Sequence, residues 1–284
     1  MRERVPLHRL TSLRVGGEAR YFASPSSPEE GAALLSWAER EGLSPFVLGA
    51  GTNVIFPDSG YGGLVITTRF LTGIRLSGSR IIASAGEPLS RIAWHACRAG
   101  LSGLEWAYGI PGTAGGAVAM NAGTREGDIA GVLVEVEAVS PSGRIRLAPS
   151  DLELGYRESA LLDRRIPLIV TSVTFELARS SPERTMGLAR RLLDERREKL
   201  PSGPSAGCAF KNPSEGPPAG ELLDRAGCKG MRVGDVFVSS LHANFVINEG
   251  ERNASEVLEL MERMRRRVEE RFRVLLEPEI IICE

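Results

Sequence analysis

Six glycines within the 21 residues 103–123 constrain this chain more than any other feature of its sequence. Packing alone rarely requires glycine at such density. Because glycine has no Cβ, it adopts positive φ and lets a backbone approach another molecule closely. Gly112, Gly115 and Gly116 flank small residues, and residues 121–123 (Asn-Ala-Gly) close the stretch. The pattern predicts a loop whose exposed backbone amides lie against a flat or phosphorylated ligand.

A shorter glycine loop lies upstream, where residues 49–53 read Gly-Ala-Gly-Thr-Asn. Residues 44–48 predict a short buried strand that leads into this loop, so that several N–H groups can point at a phosphate. The side chains of Thr52 and Asn53 can add hydrogen bonds. The loop is not a Rossmann fingerprint, because a third glycine is missing and residues 54–57 favour extended backbone. A tight hairpin is the alternative interpretation.

The third motif, residues 205–213 (Ser-Ala-Gly-Cys-Ala-Phe-Lys-Asn-Pro), combines a thiol, a cation and a side-chain amide. A proton donor, Cys208, close to Lys211 and Asn212 suits an enzyme that acts on a charged, hydrogen-bonding substrate. A cysteine between glycine and alanine is also a common packed small residue. The motif alone leaves both interpretations open.

Helix and strand patterns alternate along the chain. Residues 27–30 (Ser-Pro-Glu-Glu) have the serine N-cap, N1 proline and N3 glutamate of a helix start, and Gly42 ends that helix. Apolar residues within 89–97 follow helical spacing, and residues 60–86 look like antiparallel β-structure. Further patterns predict strands within 131–178, helices near 182–199, 219–226 and 255–272, and a strand ending at 245–247.

The composition excludes several classes of protein. With 284 residues, 42% hydrophobic and 25% charged, the chain is typical of a soluble globular protein with one large core or two to three smaller ones. A formal charge of −1 gives no electrostatic reason to bind nucleic acid. No apolar run suits a membrane span or a signal peptide. Four cysteines without CxxC spacing and only three histidines predict no metal site and no disulfide framework, so we expect a cytoplasmic protein.

Six motifs are spread along the chain: Leu13-Arg14-Val15-Gly16-Gly17-Glu18-Ala19, Leu48-Gly49-Ala50-Gly51-Thr52-Asn53, Gly109-Ile110-Pro111-Gly112-Thr113-Ala114-Gly115-Gly116, Tyr156-Arg157-Glu158-Ser159, Pro204-Ser205-Ala206-Gly207-Cys208-Ala209-Phe210-Lys211-Asn212-Pro213 and Leu276-Glu277-Pro278-Glu279-Ile280-Ile281-Ile282. Their order resembles that of UDP-N-acetylenolpyruvoylglucosamine reductases, the flavin enzymes that complete UDP-N-acetylmuramate in bacterial cell-wall synthesis. The chain resembles this family over nearly its whole length. The short interval between Tyr156 and Cys208 is similar to the compact second type, which lacks an extra tyrosine-bearing loop.

The resemblance implies an α+β fold: an FAD-binding domain of the vanillyl-alcohol-oxidase type, made of two α/β subdomains, followed by an α+β substrate-binding domain. We expect the FAD-binding domain at residues 1–179, with subdomains of about 1–60 and 61–179, because the composition shifts near 179–182. The substrate-binding domain then covers residues 180–274. Residues 275–284 form a C-terminal segment that completes the active site.

The resemblance also implies noncovalent FAD, with NADPH as cosubstrate and UDP-N-acetylglucosamine enolpyruvate as substrate. The upstream loop would hold the FAD pyrophosphate, and the longer glycine stretch would wrap the flavin and its linker. The implied cofactor-binding residues are Gly49, Ala50, Gly51, Thr52, Asn53, Val54, Ile110, Gly112, Thr113, Gly115, Gly116, Asn121 and Gly123. The implied substrate-binding residues are Tyr156, Lys199, Lys211, Asn212 and His242. A hydrogen-bonded structural role explains His242 equally well.

Three residues carry the implied chemistry. A hydride from flavin N5 adds to the terminal enolpyruvyl carbon, so negative charge develops on the neighbouring carbon and its carboxylate. Arg157 would stabilise that charge with a bidentate fork. Glu279 would bind and polarise the carboxylate, provided that it is neutral or hydrogen-bonded through a partner. Cys208 would donate the proton. Without the resemblance, a structural ion pair for Arg157 and a surface salt bridge for Glu279 are the simpler explanations.

The chain departs from the family at several motif positions. The family most often has serine where Cys208 stands. A free thiol has a pKa of about 8.5, far below that of an aliphatic hydroxyl, so cysteine is the easier proton donor. Thr52 replaces a usual serine and keeps the hydroxyl. Residues 124–126 and Leu200 differ from the commoner family residues, and we assign no contact to them.

We therefore expect a monomeric NADPH-dependent reductase that neither inserts into a membrane nor binds nucleic acid. Another flavoprotein oxidoreductase of the same fold is the first alternative. It would share the glycine loops but has no reason to carry both Tyr156-Arg157 and residues 205–213. A flavin- or nucleotide-binding module without catalysis is the second, and it needs no proton donor such as Cys208.

Overall fold

The computed structural model describes residues 1–162, 167–250 and 253–283. The chain divides into two compact units, each made of three segments. Unit 1 comprises Met1–Arg2, Tyr21–Ala50 and Gly62–Arg196, and unit 2 comprises Glu3–Arg20, Gly51–Tyr61 and Arg197–Glu284. The functional domain boundaries expected near 179 and 274 stay a prediction. No helix among the described residues is long and apolar enough to span a membrane.

The described chain contains helices and strands in alternation. The α-helices are α1 (Pro28–Arg40), α2 (Leu89–Arg98), α3 (Ala114–Ala119), α4 (Pro182–Lys199), α5 (Ala219–Arg225) and α6 (Ala254–Phe272), with short 3-10 turns at Leu7–Arg9, Glu105–Ala107, Pro149–Leu152 and Ala160–Leu162. The strands are β1 (Arg2–Pro6), β2 (Glu18–Ala23), β3 (Pro45–Leu48), β4 (Val54–Ile55), β5 (Tyr61–Thr67), β6 (Ile74–Ser77), β7 (Arg80–Ser84), β8 (Leu101–Ser102), β9 (Gly123–Thr124), β10 (Gly127–Asp128), β11 (Leu133–Ser140), β12 (Gly143–Leu147), β13 (Ile169–Glu176), β14 (Ala178–Arg179), β15 (Arg232–Val233), β16 (Val236–Val238), β17 (Val246–Asn248) and β18 (Ile281–Ile282).

A five-stranded antiparallel sheet with the order β12-β11-β13-β7-β6 lies at the centre of unit 1. Its apolar side chains form one core with the buried face of α2. The helix predicted within residues 89–97 is confirmed. The apolar residues at helical spacing are all buried, namely Leu89, Ile92, Ala93, Ala96 and Cys97. The predicted start of α1 is confirmed as well, because the Ser27 side chain accepts a hydrogen bond from the Glu30 N–H.

One prediction about this region is wrong in part. Strands β6 and β7 pair antiparallel, as expected for residues 60–86, but β5 pairs in parallel with β3. The register runs from Pro45 opposite Leu64 to Leu48 opposite Thr67. The upstream glycine loop and β4 supply the crossover that a parallel pair requires. Strand direction depends on the partner in space, which a run of apolar residues does not specify.

A second core lies in unit 2, where α5 and α6 pack on the three-stranded sheet β15-β16-β17. The last helix is confirmed, and it buries one face made of Val257, Leu260, Met261, Met264 and Val268. The C-terminal strand β18 pairs in parallel with β4. Residues 281–283 therefore lie beside the strand that follows the upstream glycine loop.

Candidate cofactor and active site

Three carbonyl groups of the upstream glycine loop are hydrogen-bonded within the protein. The Arg69 guanidinium donates to the Gly49 carbonyl at 3.2 Å and to the Ala50 carbonyl at 2.6 Å. The Gly51 carbonyl accepts from the Ser12 N–H at 2.8 Å. Gly51 has φ +68°, and a Cβ there would lie 2.1 Å from the Leu10 carbonyl oxygen, so no other residue fits.

The N–H groups of the same loop have a different environment. Across the described residues, no protein acceptor bonds to the N–H groups of Ala50, Gly51 or Thr52. Successive backbone N–H groups of a turn can together bind an anion. Binding of a phosphate or pyrophosphate group by residues 49–53 stays a prediction.

The longer glycine stretch meets this loop inside unit 1. The Thr113 hydroxyl is the N-cap of α3 and accepts from the Gly116 N–H at 3.3 Å. A Cβ at Gly49 would lie 2.5 Å from that hydroxyl oxygen, so position 49 also excludes a side chain. Gly112 comes directly before Thr113 in the chain. Ile110 is partly buried, and its N–H donates to the Ala107 carbonyl.

The prediction that the amides of this stretch are exposed is wrong for three residues. The N–H groups of Ala114, Gly115 and Gly116 donate to the Glu87 carbonyl, the Ala85 carbonyl and the Thr113 hydroxyl. Gly115 is small because a Cβ there would lie 3.2 Å from the Ala85 Cβ. Close packing explains this glycine, and contact of the stretch with a flavin stays a prediction.

Unit 1 also brings Asn121, Gly123, Tyr156 and Arg157 together. The Arg157 guanidinium donates to the Asn121 carbonyl at 3.4 Å and to the Gly123 carbonyl at 2.8 Å. It lies 5.2 Å from the centre of the half-exposed Tyr156 ring. Asn121 is fixed in turn, because its side chain donates to the Gly155 carbonyl and accepts from the Ala130 N–H. These contacts set the direction of the Arg157 fork.

Unit 2 brings Cys208 and Glu279 together. Residues 208–211 run extended between two other segments, since Cys208 bridges to Phe245 and Phe210 bridges to Pro278. The Glu279 N–H donates to the Ala209 carbonyl at 2.9 Å. The Cys208 thiol is only partly buried, in contrast to the buried Cys97, Cys228 and Cys283. Burial raises the pKa of Cys97 to about 12 and that of Cys228 to about 11.

Two residues that the sequence analysis missed fix these motifs, Arg69 in unit 1 and Asn244 in unit 2. Asn244, only 2% exposed, accepts from the Phe210 N–H at 3.0 Å and donates to the Phe210 carbonyl at 2.8 Å. Arg69 fixes the upstream loop as described above. No motif spacing marks either residue, because each bonds to backbone groups distant in the sequence. Arg69 and Asn244 can be identified only once the conformation of the loops that they bind is known.

The predicted substrate-binding residues have varied surroundings. The Lys211 amine lies 3.9 Å from a Glu277 carboxylate oxygen, and the Asn212 side chain accepts from the Ala219 N–H at 3.0 Å. His242 Nδ1 accepts from the Asn244 N–H at 3.2 Å. Lys199 is exposed in the last turn of α4. The side chain of Val54 is buried, so only its backbone can contact a cofactor.

Comparison with known proteins gives one consistent result. A family model described as the C-terminal domain of UDP-N-acetylenolpyruvoylglucosamine reductase matches residues 198–283, and an FAD binding domain model matches residues 19–148. A UDP-N-acetylenolpyruvoylglucosamine reductase of Synechococcus sp. (strain JA-3-3Ab) is 43% identical over 98% of this chain and 89% of its own length. That of Chloroflexus aggregans is 37% identical over 99% and 96%. A crystal structure of the enzyme from Thermus caldophilus has a TM-score of 0.84 and 38% identity, covering 99% of this chain and 98% of its own.

Proposed function

The chain belongs to the UDP-N-acetylenolpyruvoylglucosamine reductase family and is a flavoenzyme of peptidoglycan precursor synthesis, and from this premise we propose how its residues act. It reduces UDP-N-acetylglucosamine enolpyruvate to UDP-N-acetylmuramate with electrons from NADPH. The enzyme works in the cytoplasm, where its free cysteines stay reduced. FAD, when bound, supplies the hydride relay between the two substrates.

The upstream glycine loop holds the cofactor pyrophosphate. The observation that carries this assignment is that three of the loop's carbonyl groups are hydrogen-bonded within the described chain, whereas three of its N–H groups are not. Arg69 and Ser12 bind the carbonyls of Gly49, Ala50 and Gly51, while three N–H groups bond to no acceptor among the described residues. FAD is bound noncovalently, because neither glycine loop contains a histidine or a cysteine.

Arg157 stabilises the charge that develops on the enolpyruvyl carboxylate. A guanidinium has five N–H donors in a planar fork. Two of its nitrogens are already aligned by the Asn121 and Gly123 carbonyls, so the side chain is oriented before substrate binds. Donors that are oriented in advance stabilise a transition state without a cost of reorganisation.

Cys208 donates the proton that completes the reduction. The substrate double bond gains a hydride at the terminal carbon and a proton at the carbon that carries the carboxylate, so one acid is required for each turnover. The thiol loses its S–H proton to carbon and regains one from water. The Cys208 segment is fixed on both sides, by residues 244–245 and by residues 277–279. Glu279, on the adjacent segment, binds the substrate carboxylate as a neutral acid or through a hydrogen-bonded partner.

His242 contributes a neutral hydrogen-bond donor to the substrate. Its Nδ1 accepts the Asn244 N–H, so the imidazole proton lies on Nε2. Burial lowers the pKa of His242, and the charge of Lys229 lowers it further. The ring is therefore neutral at pH 7 and offers an Nε2–H donor.

Acidification should reveal the state of His242. Its folded pKa lies below the unfolded value of about 6.5. Below pH ~6.5 the His242 ring binds a proton more readily in the unfolded chain than in the folded chain, so protonation favours unfolding. The stability that the neutral ring contributes above pH ~6.5 is therefore lost as the pH falls through the folded pKa. We expect the free energy of unfolding to fall more between pH 7 and 5 for the wild type than for His242→Gln. An NMR titration that gives His242 a pKa above 6.5 would contradict this.

The proposed reaction has a direct spectroscopic test. The purified protein should be yellow, NADPH should bleach the FAD absorbance, and UDP-N-acetylglucosamine enolpyruvate should restore it without oxygen. Denaturation should release FAD from the chain. Initial rates should follow ping-pong kinetics, because both substrates use one cofactor in turn. Failure of the enolpyruvyl substrate to restore the absorbance would rule out the proposed reaction.

A further inference from the structure

Asn53 stands at the point where the upstream glycine loop becomes strand β4. The backbone carbonyl of Asn53 accepts from the Ile281 N–H at 3.1 Å, and the Ile55 carbonyl accepts from the Cys283 N–H at 2.9 Å. These bonds form the parallel ladder between β4 and β18. The ladder fixes the C-terminal strand from Ile281 onwards, but not the residues before it.

The side chain of Asn53 extends this ladder by one further bond. Its Nδ2 donates to the Glu279 carbonyl at 3.0 Å, between residues 226 positions apart in the sequence. The other backbone group of Glu279, its N–H, donates to the Ala209 carbonyl next to Cys208. Both polar backbone groups of Glu279 are therefore held, one by Asn53 and one by the segment of the proton donor.

We propose that Asn53 is a positioning residue for Glu279: its side-chain amide fixes the Glu279 backbone and so directs the Glu279 carboxylate towards the substrate. This inference rests on the proposed function of Glu279. It differs from the expectation that Asn53 only binds FAD, because a positioning role acts on the step that uses the enolpyruvyl substrate. A purely cofactor-binding role acts on FAD affinity.

The two roles are separated by measuring each half-reaction on the FAD-saturated enzyme. In Asn53→Ala we expect NADPH to reduce the cofactor at nearly the wild-type rate. Reoxidation by UDP-N-acetylglucosamine enolpyruvate should slow about 10- to 100-fold, because small misplacements of a reacting group have effects of this size. FAD titration of the apoprotein measures any loss of cofactor affinity separately, and saturation with FAD keeps that loss out of both rates. Asn53→Ser also removes the side-chain amide that donates to the Glu279 carbonyl. If the alanine variant folds poorly, the serine variant should show the same rates of reduction and reoxidation.

A double-mutant cycle with Glu279→Gln tests whether Asn53 acts through Glu279. Residues that act through one another have non-additive effects. In the Glu279→Gln background, Asn53→Ala should therefore change the reoxidation rate by no more than about threefold. Additive losses would overturn the inference.

Asn248 supplies a matched control. Its side-chain amide, which is buried, also donates to a backbone carbonyl in unit 2, that of Leu13 at 2.9 Å. Asn248→Ala should lower the free energy of unfolding and leave both half-reactions unchanged. A wild-type reoxidation rate in Asn53→Ala, or weaker FAD binding as its only defect, would overturn the inference alone. Failure of the wild type to use the enolpyruvyl substrate would overturn the proposed function and this inference with it.

Discussion

Replacement of Cys208 by alanine is expected to slow reduction of the enolpyruvyl substrate by about 10²–10⁴-fold, the usual contribution of a general acid. Reduction of FAD by NADPH should continue at nearly the wild-type rate, because only the second half-reaction places a proton on carbon. Stopped-flow measurement of the two half-reactions separates these effects. A wild-type rate of reoxidation in Cys208→Ala would show that the thiol is only a packed small residue.

Two controls sharpen this result. Cys208→Ser should retain much of the activity, since serine is the usual donor of the family. Thiol-alkylating reagents should inactivate the wild type, and bound substrate should protect it. With thiol pKa values of about 12 and about 11, Cys97 and Cys228 are almost wholly protonated at pH 8 and should react slowly. Loss of activity on alkylation of Cys208→Ser would place the sensitive thiol elsewhere.

Replacement of Arg157 by glutamine is expected to reduce kcat for the enolpyruvyl substrate by about 10²–10³-fold, or roughly 3–4 kcal/mol of transition-state stabilisation. The charge on the carboxylate develops during this half-reaction, so reduction by NADPH should change little. Arg157→Lys keeps the charge but loses the fork that Asn121 and Gly123 align, and it should not restore the full rate. Single-turnover reoxidation at saturating substrate measures the effect.

Arg196 provides the matched control for Arg157. Its guanidinium also donates to two backbone carbonyls of unit 1, those of Tyr108 at 2.7 Å and Trp106 at 2.8 Å. Arg196→Gln should therefore lower the free energy of unfolding without a selective effect on reoxidation. If Arg157→Gln and Arg196→Gln lowered stability equally and neither slowed reoxidation, the role of Arg157 would be structural.

Local patterns predicted most helices well. The N-cap serine of α1, the buried face of α2 and the buried face of α6 follow from side-chain type and spacing within a few turns. These features depend on neighbours in the sequence, which the sequence lists directly. The direction of β5 was not predictable in this way, because its partner β3 is chosen through space.

The amino-acid sequence by itself determined the family, the flavin-dependent chemistry and the identity of Cys208, Arg157 and Glu279 as candidates, because motif order and residue type carry that information. Tertiary structure alone decided which backbone groups form hydrogen bonds with these residues and with their neighbours. Asn53 reaches Glu279 and Asn244 holds Phe210 through hydrogen bonds between distant parts of the chain. Whether a loop presents N–H groups or carbonyls likewise depends on partners such as Arg69, which only the folded chain brings within hydrogen-bonding distance.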